Sequence, residues 1–128
     1  MLESKFLHIY ATVEFLVDTG ATITTLSDRD VSRLGIDYEM LEKLDEGMLG
    51  IGGTVDTYIL KDAKLTFHRA DKKTHQETLE RICILKHAKL NERILRIPSI
   101  LGRDILNKHA LIYDKRQEKA YITNEQPP

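Results

Sequence analysis

At 128 residues the chain has the length of one domain able to bury a core. Apolar residues make up 41% and charged residues 30%, and the net charge of −1 comes from interspersed signs, which argues against a nucleic-acid or anionic-membrane surface as partner. No apolar run reaches the length of a membrane span, Met1-Leu2-Glu3-Ser4-Lys5 lacks a signal-peptide layout, and Cys83 is the single cysteine, so a cytoplasmic protein without internal disulfides is expected.

In chain order, Lys5 to Thr12 mixes apolar and polar residues and predicts a strand leading into a second one at Val13–Val17. The apolar run Phe15-Leu16-Val17 stops at Asp18, the residue a buried strand tolerates least. Thr19 supplies a hydroxyl beside it, and Gly20 suits a turn that a side chain would obstruct. An acid at the end of an apolar strand, on a tight turn, is presented rather than hidden. Ser27 suits an N-cap and Gly35 a C-terminal stop, predicting a helix from about Asp28 to Leu34 with Asp28 and Asp30 as first-turn acids. Tyr38 to Glu46 reads as irregular, anchored by Met40, Leu41 and Leu44.

Gly47 to Leu60 carries four glycines in its first seven positions and then alternates, predicting a hairpin with a mobile tip. A nucleotide-binding loop is excluded, because no Gly-Lys-Ser/Thr follows and the glycine spacing does not fit a dinucleotide fingerprint. Lys64–Phe67 and Glu80–Leu85 read as paired strands around a polar loop at Arg69–Gln76. His68, His75 and His87 match no compact ligand spacing and read as surface residues, so no metal and no cofactor is expected. Cys83 alternates with Ile82 and Ile84 and reads as a packed or edge thiol. Leu90 to Ile97 could be loop or strand, and Pro98-Ser99 punctuates. Ile100-Leu101 reads as a short buried strand, Gly102 as a point of close backbone approach, and Arg103 to Lys108 as a helix with Asp104 in its first turn. Ala110 to Ile122 reads as a hairpin around a charged turn, and residues 123–128 as a disordered tail.

Three stretches together resemble one family. Val17-Asp18-Thr19-Gly20-Ala21 resembles the active-site turn of retropepsin-type aspartic proteases, Met48-Leu49-Gly50-Ile51-Gly52-Gly53 its glycine-rich flap, and Ile100-Leu101-Gly102-Arg103-Asp104-Ile105-Leu106 its second signature. They occur in the family's order. The resemblance implies a mainly β, closed-barrel-like acid protease fold with a flap hairpin and one or two short helices, in a single domain over residues 1–122. It implies Asp18, Thr19 and Gly20 as the catalytic turn, and Ala21, Thr22, Gly50, Ile51, Gly52, Gly53, Pro98 and Ile100 as substrate contacts. Gly102 and Arg103 would support the site. Retroviral members carry, where Thr22 stands, an acid that can pair with the arginine; Thr22 leaves the partner of Arg103 open. Family members also have a longer first strand, so an abbreviated first hairpin is expected. The terminal hairpin is similar to that of cellular retropepsin-like domains of the DNA-damage-inducible ubiquitin-shuttle type, where it would build a dimer interface.

Aspartic peptidases need two carboxyls sharing one proton, because like charges that close cannot both ionise easily. One Asp-Thr-Gly per chain makes the second carboxyl the property of a second copy, so the implied partners are the chain itself, in a two-fold homodimer, and a peptide or protein substrate. The implied function is an aspartic endopeptidase whose water is activated between two Asp18 carboxyls. A catalytically weak or inactive dimeric peptide-binding or assembly module of the same fold is the other reading these residues allow.

Overall fold

A computed structural model describes residues 1–44, 48–50, 53–68 and 73–123. The chain starts with β1 (Leu2–Ser4), β2 (Ile9–Ala11) and β3 (Phe15–Val17). The first hairpin is formed and short, with two strands of three residues: Leu2 opposes Ala11, Ser4 opposes Ile9, and the bend at His8 takes a φ of 54°. What reads as one strand over Lys5–Thr12 is a turn followed by a short strand.

β4 (Thr25–Leu26) leads directly into α1 (Asp28–Leu34), which ends on Gly35 at φ 67°, where a residue without Cβ is at ease. A single 3₁₀ turn at Tyr38–Met40 and the short β5 (Glu42–Lys43) follow. Of the three expected anchors, Leu41 packs on the core, whereas Met40 and Leu44 lie exposed. β6 (Met48–Gly50) pairs with the start of β7 (Gly53–His68), and β7 pairs along its length with β8 (Thr74–His87). The strand β8 begins well before Glu80, so Thr74 to Leu79 belong to a ladder and not to a loop. That ladder skips Asp62, whose φ of 58° is left-handed, and across this point the buried side changes from Ile82 and Ile84 to Leu79 as the sheet curls.

Leu90 to Ile97 contains a 3₁₀ turn at Ile94–Arg96 whose Ile94 is buried. Then come β9 (Ser99–Leu101), α2 (Arg103–Leu106), β10 (Ala110–Asp114) and β11 (Lys119–Thr123). Thr123 closes the last strand opposite Ala110, and the rest of the expected tail, 124–128, lies outside the described residues.

The main sheet runs β2-β1-β7-β8-β4-β9-β3, with β5 and β6 also pairing with β7; β10 and β11 form a separate two-stranded sheet. Leu2, Leu26, Leu60, Leu65, Ile82, Ile84, Leu101 and Ile105 fill the inside of this curled sheet under α1 and α2. The consequence for function lies in its last three strands. β9 is parallel to β3 and antiparallel to β4, so the strand ending at Asp18 and the strand ending at Gly102 run side by side and finish together.

Candidate active site

Asp18 stands one residue past the Val17–Leu101 pair, and its N–H donates to the Leu101 carbonyl at 3.1 Å. The chain then turns sharply: the Ala21 N–H donates to the Asp18 carbonyl at 3.2 Å, and the Gly20 N–H donates to Asp18 Oδ1 at 2.9 Å. One carboxyl oxygen is thus held by the turn itself. Among the described residues no group bonds the other oxygen. Asp18 is half-buried while Thr19 and Gly20 are exposed, and it follows β3, the last strand in the order of the main sheet. Gly20 does not take a left-handed conformation; a Cβ there would stand 3.2 Å from Asp18 Oδ1, a tight contact with the carboxyl.

Residues 21–24 are strapped to the start of α2. The Arg103 N–H donates to the Ala21 carbonyl at 2.8 Å and the Asp104 N–H to the Thr22 carbonyl at 3.2 Å. Asp104 accepts from the Thr24 hydroxyl at 2.7 Å and the Thr24 N–H at 3.0 Å, and the Gly102 N–H donates to Thr24 Oγ1 at 3.1 Å. Asp104 is therefore a brace for the turn, more than the helix first-turn acid the sequence suggests. Gly102 has a steric reason: a Cβ there would meet the Ile23 backbone at 2.7 to 3.0 Å. Arg103 finds its partner at Thr22 after all, donating from Nη2 to Oγ1 at 3.0 Å, a charged donor on a neutral acceptor in an exposed position. Ile100 lies between β3 and β4, opposite Leu16 and Thr25, and Pro98 sits half-buried just ahead of β9.

A second layer lies beneath. Asp30 is buried and accepts from Ser99 Oγ at 2.5 Å, from Arg29 Nη2 at 2.9 Å and from Arg33 at 3.3 Å. Burial alone would raise its pKa, but the hydrogen bonds from Arg29 and Ser99 and the charge of Arg29 hold it below the usual carboxylate value. The same arginines donate to the Glu14 and Thr12 carbonyls, tying α1 to the segment between β2 and β3. Ser27 makes no side-chain cap; its N–H donates to Ser99 Oγ at 3.0 Å. Asp28, also buried, accepts the His87 N–H at 3.0 Å and meets His87 Nδ1 at 2.5 Å. Asp28 and Asp30 are thus internal ties between elements, and His87 is a core residue rather than a surface one. The signal available in the sequence was Ser99, a polar residue in the apolar run Ile97 to Leu101.

The hairpin at the start of β7 has Gly50 opposite Gly53, with Ile51 and Gly52 outside the described residues. Its base is fixed where Val55 pairs with His87, the residue Asp28 holds. A cavity of about 550 Å³ adjoins the turn, lined by Thr22, Ile23, Arg81, Arg103 and Asp104 among others. A larger one of about 640 Å³ lies away from it, between Phe6, Met40, Ile59 and Lys61. Neither contains Asp18. Cys83 is half-buried on β8, and burial pushes its thiol up, as suits a packed side chain. No helix among the described residues is long and apolar enough to cross a membrane.

The aspartyl protease family profile matches residues 10–78, more than half of the chain, taking in the Asp18 turn, α1 and the glycine-rich hairpin. Among solved structures, a retropepsin-like aspartic protease from Rickettsia conorii is similar at a TM-score of 0.52 and 20% identity, over 86% of this chain and 80% of that one. EIAV protease, complexed with the inhibitor HBY-793, is 24% identical over 74% of each chain at a TM-score of 0.43. No curated protein matches. The fold is retropepsin-like: a curled, mostly β sheet with few helices, as the three motifs imply.

Proposed function

Because the chain belongs to the aspartyl protease family, we propose that it is an aspartic endopeptidase acting as a homodimer, with one Asp18 from each copy in a shared site. The observation that carries this reading is the Asp18 carboxyl itself. One oxygen is fixed by the Gly20 N–H, the other has no partner among the described residues, and the group stands at the end of edge strand β3 on a turn whose Thr19 and Gly20 are exposed. Half a site facing outward is completed by a second half related by a two-fold axis.

In such a pair the two carboxyls hold one proton between them. The ionised one takes a proton from a bound water, and the protonated one donates a hydrogen bond to the scissile carbonyl as the water's oxygen attacks its carbon. The proton is then passed to the leaving amine as the C–N bond breaks. The Gly20 N–H keeps the carboxyl oriented, and the exposed Thr19 hydroxyl is free to bond across the axis to the partner copy. Ala21, Thr22 and Ile100 flank the turn and would meet substrate backbone and side chains. The hairpin containing Gly50 and Gly53 would close over an extended peptide and exclude water. The half-buried lone thiol of Cys83 suits a reducing compartment.

The test is cleavage of a peptide library by the purified protein and by Asp18→Asn, alongside binding of a transition-state mimic of aspartic peptidases. Cleavage and mimic binding that both vanish in the variant support the enzyme. Peptide binding without cleavage, unaffected by Asp18→Asn, assigns the chain to the non-catalytic dimeric module instead.

A further inference from the structure

Far along the chain from Asp18, the fold gathers three side chains the sequence scatters. His75 and Glu77 lie two apart on β8 and so share a face, and His109 stands just before β10 with its N–H bonded to the Leu106 carbonyl. His75 Nε2 lies 2.8 Å and His109 Nε2 3.0 Å from one and the same oxygen, Glu77 Oε1. The rings meet edge to face at 5.0 Å, and the three ligand atoms all fall within 4.8 Å of one another. The cluster is sheltered: the side chains are 30%, 14% and 3% exposed for His75, Glu77 and His109. From this convergence we infer a binding site for a divalent transition-metal ion of the zinc class, held by His75 Nε2, Glu77 Oε1 and His109 Nε2.

A hydrogen-bonded clip between two segments needs one histidine on the carboxylate. Two imidazoles delivering the same nitrogen to one oxygen make a His₂-carboxylate donor set, that of zinc sites with an open fourth position. Bonds of about 2.0 to 2.1 Å in tetrahedral geometry place ligand atoms about 3.3 Å apart, so small rotations of these side chains suffice. Coordination through Nε2 puts each ring's proton on Nδ1, and Glu77 supplies the anionic ligand. The opposing charge is Lys108, whose Nζ lies 3.5 Å from Glu77 Oε2; at 53% exposure it can swing into solvent. The ion would join β8 to the α2–β10 junction and so fix the β10–β11 hairpin, which among the described residues makes no ladder with the main sheet.

The inference is independent of the role of Asp18. Its test is titration of the full-length protein with Zn²⁺ by calorimetry and with Co²⁺ by visible absorption. The result expected is one ion per chain with a tetrahedral Co²⁺ spectrum, affinity reduced at least about tenfold by His75→Asn and by Glu77→Gln, and raised about two- to fivefold by Lys108→Gln. Asp18→Asn should bind as wild type does, and Zn²⁺ should raise the melting temperature of wild type but not of His75→Asn. Failure to bind stoichiometrically at micromolar Zn²⁺, or binding that survives both ligand substitutions, overturns it and leaves a metal-free hydrogen-bonded clip. His75 and Glu77 are chosen over the near-buried His109 so that loss of folding does not decide the outcome.

Discussion

Asp18 and Asp30 are both aspartates beside β9, twelve residues apart, and the chain treats them in opposite ways. Asp30 is surrounded by donors: Ser99, Arg29 and Arg33 all reach its carboxylate, and no lone pair is left to serve a substrate. Asp18 receives one N–H from its own turn, and its other oxygen has no partner among the described residues. A carboxylate whose bonding is complete stabilises a fold; one left incomplete on a rigid mount can move a proton. The difference lies in the supply of donors within reach and not in residue type.

Exchanging the two roles by mutation is the most direct way to break that comparison. Asp18→Asn keeps an acceptor for the Gly20 N–H but cannot share a proton, so peptidase activity should fall by about 10³-fold or more. The same change should alter unfolding free energy by less than about 0.5 kcal/mol, measured by chemical denaturation. Asp30→Ala should do the reverse, costing about 2–4 kcal/mol because Ser99 and two arginines lose their acceptor, while activity per folded molecule persists. Should Asp30→Ala be silent in denaturation, its network is not structural.

Gly102→Ala tests the mount rather than either acid. Its Cβ would press on the Ile23 backbone, which has little room to yield, so stability should drop by about 1–3 kcal/mol and activity should fall with it. The pH dependence sharpens the contrast further. The pKa of Asp30 is lower in the folded than in the unfolded chain, so its contribution to stability is complete above the ordinary aspartate value near 4. That contribution is lost as pH falls through the depressed native value. Acid melting curves should therefore flatten in Asp30→Asn. The smallest effect is expected at Thr22→Val, which removes one solvent-exposed bond from Arg103 and should cost under about 1 kcal/mol.

Much of this was readable in the residues. The stop at Asp18 after three apolar positions, the glycines at 50 and 53, and Gly102 before α2 each announce a local backbone event, and local events are what sequence expresses best. α1 has the bounds that Ser27 and Gly35 suggest. What stayed hidden was long-range and polar. Asp28 with His87, Thr24 with Asp104, and His75 and Glu77 with His109 are joined across 59, 80 and about 30 residues by the curl of the sheet. No periodicity encodes such pairs. The strand from Thr74 to Leu79 was missed for a related reason: Thr74, Gln76 and Thr78 are exposed and His75 and Glu77 meet His109, so a polar run imitates a loop.

The central claim is that two chains each give one carboxyl. It is tested most directly by mixing. Wild-type protein is equilibrated with Asp18→Asn chains under conditions of subunit exchange, and turnover is followed as the wild-type share decreases at constant total protein. If paired carboxyls do the chemistry, activity falls as the square of the wild-type share, so an equal mixture retains one quarter of the starting rate. A strictly linear fall, with one half retained in the equal mixture, would contradict the account, because each chain would then be acting alone.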